Sequence, residues 1–203
     1  MDNEHVIADL IDELSDMEDD VREAAGKELG AIGEPAIPQL IEALSENLWD
    51  IPDQVADILA EIGASAVPAL MEELAIAERH HALCISDTLG RIGTPAIPAL
   101  SEALQDLDEQ LREYAIRAFG NMGTAAIEAI PVLIEALSDP EEEVRTYSAY
   151  AISNLEAAAA EAVPALIKAL ADDSERVQHH VAFALDKIGT PEAKQALIEL
   201  SQA

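Results

Sequence analysis

Cysteine is almost missing from this chain. Cys84 stands alone among 203 residues, so no disulfide can close within it. Aromatic residues are nearly as scarce: two Phe, three Tyr and one Trp leave core packing to small and branched aliphatics. Basic residues number eleven against forty-one acidic ones, a formal charge of −30. A surface of that sign repels nucleic acid, whose binding depends on Lys and Arg displacing counterions, and it disfavours anionic membranes for the same reason. No run of eighteen apolar residues occurs, and the start MDNEHVIADL carries acids in place of a basic n-region. Neither a membrane span nor a signal peptide is therefore expected. Phosphate-binding loops, dinucleotide fingerprints, GxSxG elbows and calcium loops are also missing. These absences predict a cytoplasmic protein with no catalytic centre, no cofactor, no nucleic-acid partner and no membrane partner.

What the chain does have is a repeat. Gly33, Gly63, Gly93 and Gly123 are spaced thirty residues apart and close the phrases LGAIG, LAEIG, LGRIG and FGNMG. Prolines follow in a fixed context at Pro38, Pro68 and Pro98, then at Pro131 and Pro164 with a spacing of thirty-three. A period near thirty holding two helical patterns is the signature of stacked helix pairs, in which each pair buries its apolar face on its neighbours. The first helix of a pair (A) is exemplified by 19–32, where Val21, Ala25, Leu29 and Ile32 recur at helical spacing. Gly33 then supplies the positive φ that ends a helix. The second helix (B), near 35–46, opens on Pro35 and Pro38, tolerated where amides lack acceptors, and carries the stripe Ile37, Leu40, Ile41 and Leu44. Further pairs fall near 52–62 and 66–77, 79–92 and 95–105, 108–122 and 127–138, 141–156 and 161–171, and 175–188 and 191–202. In the fifth pair the run Ala157–Ala160 replaces the glycine turn, so the helix there is expected to be extended or bent. The opening helix near 4–15 matches a B helix, VIADLIDELSD against AIPQLIEALSE, and reads as a cap. The expected fold is an all-α solenoid of antiparallel helix pairs. It forms one domain over 1–203: a capping helix in 1–17, then six pairs in 18–203.

Units of the form VR..A...LG.IG followed by A.P.LI.AL resemble the HEAT-like repeats associated with phycobilisome lyases, over nearly the whole chain. The resemblance implies that Arg22, Arg112 and Arg145 bond acids or carbonyls of the adjoining unit as an internal ladder. Gln178 would serve as a neutral version, while Pro52 and Ala82 break the pattern. It also implies that B helices line a concave face, and that the alternative to a binding protein is a phycobilin lyase or chromophore-handling subunit. Iron hydroxylases of similar repeats use a His-Glu dipeptide that this chain lacks. DNA glycosylases of similar architecture need a basic groove, against the charge found here.

Four residues after each repeated proline stand Glu42, Glu72, Glu102 and Glu135, aligned with Asp12 in the cap and Glu199 in the last helix. Lys168 interrupts this row. The row predicts an acidic channel for a basic helix, tail or loop, although Glu is also simply a good helix former on a solvated face. Trp49, in the turn LWDIP, is a candidate exposed anchor. Tyr114 and Tyr147 share one repeat position, and Tyr150 and Phe183 another; both binding and packing between repeats suit them. His80 and Cys84 lie one helical turn apart, but no third metal ligand is near, so no metal site is expected. The expected function is a non-catalytic protein-interaction scaffold, monomeric, binding a protein partner of basic character. Mimicry of nucleic acid by the carboxylate rows is a weaker alternative.

Overall fold

The computed structural model describes residues 3–45 and 51–202. Trp49 falls outside them. The described residues are all helical or connecting, with no strand among them. The chain divides into two compact units, Met1–Ala99 and Leu100–Ala203, with the division inside one helix.

The first unit holds α1 (Asn3–Glu13), α2 (Asp19–Ile32), α3 (Ile37–Ala43), α4 (Ile51–Ile62), α5 (Val67–Leu74) and α6 (Arg79–Ile92). The A helices stack in order, with α4 lying between α2 and α6, while α3 touches both α1 and α5. The division falls within α7 (Ile97–Ala103). The second unit continues with α8 (Glu109–Met122), α9 (Ile130–Ala136), α10 (Glu142–Asn154), α11 (Val163–Ala169), α12 (Glu175–Ile188) and α13 (Pro191–Leu200). Here α10 lies between α8 and α12, and α11 packs against both α12 and α13. The fold is an α-solenoid of stacked helix pairs, as the period of the sequence predicts.

The apolar stripes become the seams. Ala25 and Leu29 of α2 are buried, with Val21 and Ile32 half-buried at the ends of the stripe. In α3 and just beyond, Ile37, Leu40, Ile41 and Leu44 are all buried. Five B helices are shorter than the pattern suggests, because a 3-10 turn precedes them: Glu34–Ala36, Gly63–Ala66 and Thr94–Ala96 in the first unit, Gly123–Ala129 and Glu156–Ala162 in the second. Proline then sits in the first turn of α3, α5, α9 and α11, where the missing N–H costs nothing. Apolar composition makes the stretch Ile51–Leu74 long and greasy enough to resemble a membrane span. The chain reverses inside it at Gly63, with φ 74°, and Val55, Leu59 and Leu70 are fully buried in the protein's own core. Neither α4 nor α5 alone has the roughly 20 residues a span requires.

Gly33, Gly63, Gly93 and Gly123 all take positive φ at the end of an A helix. Of the two expectations for the fifth A helix, extended or bent, the structure shows the break. The helix is not extended: α10 stops at Asn154, and the residue in the glycine position is Glu156, with φ 49°. A 3-10 segment over Glu156–Ala162 follows, broken at Ala159. The alanines are thus the turn's continuation, and a glutamate makes the reversal.

Candidate interaction surfaces

Successive B helices carry the acidic row. In the first unit Asp12 of α1, Glu42 of α3 and Glu72 of α5 are exposed. In the second unit Glu102 of α7, Glu135 of α9, Lys168 of α11 and Glu199 of α13 are exposed as well. None of these side chains forms an ion pair among the described residues. Glu135 accepts a long hydrogen bond from Gln105 Nε2 (3.5 Å), and Glu199 accepts one from Gln195 Nε2 (2.8 Å).

Several acids of the A helices and turns are instead bound by arginines. Arg112 Nε donates to Asp139 (2.9 Å), and its Nη1 donates to the carbonyls of Asp106 (3.0 Å) and Leu107 (3.2 Å). Arg145 repeats the arrangement one unit later, on Asp172 (2.7 Å) and on the carbonyls of Asp139 and Pro140, both at 2.9 Å. Each guanidinium therefore spans the turn before its helix and the carboxylate in the following turn. The Arg145 hydrogen bond holds the Asp172 carboxyl below its usual range, and Asp172 in turn pushes the Arg145 guanidinium up. Gln178 keeps only the backward half, donating to the carbonyl of Asp172 (2.6 Å). Arg22 likewise grips the carbonyl of Asp16 (2.7 Å) and pairs with Asp19 on its own helix. Aligned on the repeated proline, the position corresponding to Asp139 for Arg22 is Glu46, outside the described residues.

Where the ladder is interrupted, another arginine holds the first unit together. Arg91 of α6 binds Asp53 (2.5 Å) and Asp57 (2.7 Å) of α4 as well as Asp87 of its own helix (2.8 Å). The sequence signal for this clamp is the Asp53/Asp57 pair one helical turn apart on the preceding A helix. His81 adds a second tie in that unit, with Nε2 3.0 Å from the Ile41 carbonyl and Nδ1 3.6 Å from Glu73. Cys84 is half-buried, and burial followed by the nearby Asp87 and Asp53 charges pushes its thiol up. No group of three or more metal-ligating side chains occurs among the described residues.

HEAT repeats match residues 7–83, 77–153 and 130–203. The chain belongs to the HEAT-repeat family. Among solved structures, the HEAT-repeat chain is similar to the complex of CpcE and CpcF of phycocyanin lyase from Nostoc sp. PCC7120. That likeness has 22% identity and a TM-score of 0.56 over 74% of this chain and 98% of that one. A designed armadillo repeat protein in complex with the peptide (KR)4 is similar at 19% identity and a TM-score of 0.50, over 90% and 99% of the two chains. An engineered protein is similar at 22% identity and a TM-score of 0.49, covering 96% of this chain and 61% of that one. At these identities the likeness is one of fold. No curated protein matches this HEAT-repeat chain.

The aromatics of the second unit divide between core and surface. Tyr114 is buried, whereas Tyr150 and Phe183 are 39% and 45% exposed. Tyr147 is wedged between the Arg117 guanidinium, 4.0 Å from its centroid, and the edge of Tyr150, with centroids 6.5 Å apart. Gly120 makes that packing possible, since a Cβ there would lie 3.1 Å from Tyr150 Cδ1. The two arginines beside Tyr147 are already paired, Arg117 with Glu113 and Arg176 with Glu142 and Glu143. Packing between repeats accounts for the tyrosines; sequence spacing alone does not separate that role from binding.

Proposed function

We propose that this HEAT-repeat protein is a non-catalytic scaffold holding a basic protein segment along the carboxylates of its B helices. The observation that carries the reading is a row of exposed carboxylates without ion pairs that recurs on successive B helices of each unit. Several acids on A helices and in turns bind the protein's own arginines, while Asp12, Glu42 and Glu72 in one unit, and Glu102 and Glu135 in the other, are solvent-facing with no ion pair among the described residues. Free carboxylates on adjacent helices present an anionic surface that a flexible Lys/Arg-rich segment can neutralise, and the −30 charge steers such a segment in. The designed armadillo protein found with (KR)4 is an array of the same general fold in complex with a basic peptide. A cytoplasmic location and a monomeric state belong to the same proposal.

Fluorescence anisotropy with a labelled alternating Lys-Arg octapeptide tests it. Affinity is expected to fall steeply as salt rises from about 20 to 200 mM, since the Debye length shrinks through the range of these contacts. E42K/E72K and E102K/E135K are each expected to weaken binding about tenfold. Equal affinity across salt and variants would remove the acidic rows from the function. The likeness to the phycocyanin lyase complex supports a second reading, chromophore handling. Mixing the protein with bilin and an apo-phycobiliprotein separates the two: a covalent shift in visible absorbance supports the second, and an unchanged spectrum discards it.

A further inference from the structure

Lys168 is the one position of the second unit's row where the sign inverts, and it is exposed on α11 without an ion pair among the described residues. It lines a cavity of about 640 Å³ beside the turns that follow α9 and α11, with Ile134, Leu137, Pro140 and Ala165 supplying apolar wall. Three carboxylates share that wall, but two are spoken for: Asp139 is bound by Arg112 and Asp172 by Arg145. Asp173, exposed on the rim, is the remaining acid. A continuous basic segment laid across Glu102 and Glu135 would therefore meet a cation beside an open, partly apolar recess. A Lys or Arg at that point loses affinity by repulsion, whereas a carboxylate there gains an ion pair.

We infer that the segment bound by the second unit is not uniformly basic: it carries a carboxylate side chain, flanked by basic residues, that sits against Lys168. This rests on the scaffold reading above and fixes the partner's charge pattern within it. Lys168 then acts as a register mark, rejecting frames in which a Lys or Arg would face it.

The test uses the full-length E42K/E72K protein, so that binding reports the second unit, and eight labelled octapeptides of Lys and Arg. Each peptide has one Glu, at a different position, so all share one net charge and only the place of the carboxylate varies. One Glu position is expected to bind about fivefold better than the average of the others, the upper range for an exposed ion pair. K168Q should flatten that preference, and K168E should turn it into a penalty at the same position; far-ultraviolet circular dichroism confirms that both variants keep their helices. Affinity independent of Glu position, or a preference that survives K168Q, overturns the inference while leaving the scaffold reading intact. If neither these peptides nor the all-basic octapeptide bind wild-type protein, the scaffold reading falls and this inference with it.

Discussion

Glu156 takes a positive φ, which its five counterparts leave to glycine. Gly33, Gly63, Gly93, Gly123 and Gly189 lie at φ between 59° and 76°, and Glu156 lies at 49°. An L-residue with a Cβ is strained there by roughly 1–2 kcal/mol, part of which glycine returns through its freer unfolded chain. Glu156→Gly is therefore expected to stabilise the protein by about 1 kcal/mol, seen as a higher denaturant midpoint with an unchanged slope. Gly93→Ala should do the reverse. The glycine positions are legible in the sequence because they recur in one phrase. Glu156 is not, because glutamate carries no mark of left-handed geometry, and the neighbouring alanines look like the obvious replacement.

Between helices, the arginine ladder is the clearest energetic device. The Arg145 and Asp172 side chains are 16% and 10% exposed, so the pair is sheltered enough to matter yet not a sealed charge. Arg145→Ala removes donors from Asp172 and from two carbonyls, and is expected to cost about 2–3 kcal/mol. Acid adds a second test. The Asp172 carboxyl is depressed in the folded protein relative to about 3.9 in an unfolded chain. Between those values the unfolded state binds more protons, so stability from this group is full above about pH 4 and is lost as pH falls through the folded value. NMR titration of the Asp172 carboxyl should show a lowered midpoint in wild type and a higher one in Arg145→Ala, with a shallower acid limb of stability in the variant. Resemblance to a family pointed to Arg112 and Arg145, but not to Asp139 and Asp172, twenty-seven residues further on in each case. Those aspartates sit in turns, where acids are common for local reasons, so only the fold shows what they hold. Arg91 was missed because the repeat pattern assigns its position no role.

At the scale of the whole protein, forty-one acids against eleven bases make the folded state repel itself. Added salt should therefore have opposite effects on folding and on the proposed binding. Raising NaCl from about 10 mM to 0.5 M is expected to lift the melting temperature by at least about 3 °C, roughly 1 kcal/mol for a chain of this size. The same change should release a basic peptide. Calorimetry and anisotropy on one sample check both, and parallel trends would show that bulk charge is not the governing term. The sequence makes the A/B alternation and the solvent-facing row legible through period alone. It leaves Trp49 as an anchor candidate that lies outside the described residues. The ladder has one more consequence. In the second unit Arg112 and Arg145 fasten each chain reversal to the next, so water cannot work into one without slackening its successor. In the first unit Ala82 gives its preceding reversal no guanidinium; His81 faces Glu73 across it at 3.6 Å, and Arg91 secures only the flank of a helix. Pulsed deuterium labelling should find the reversals around residues 106–108 and 139–141 opening in concert, while that around 75–78 breathes by itself.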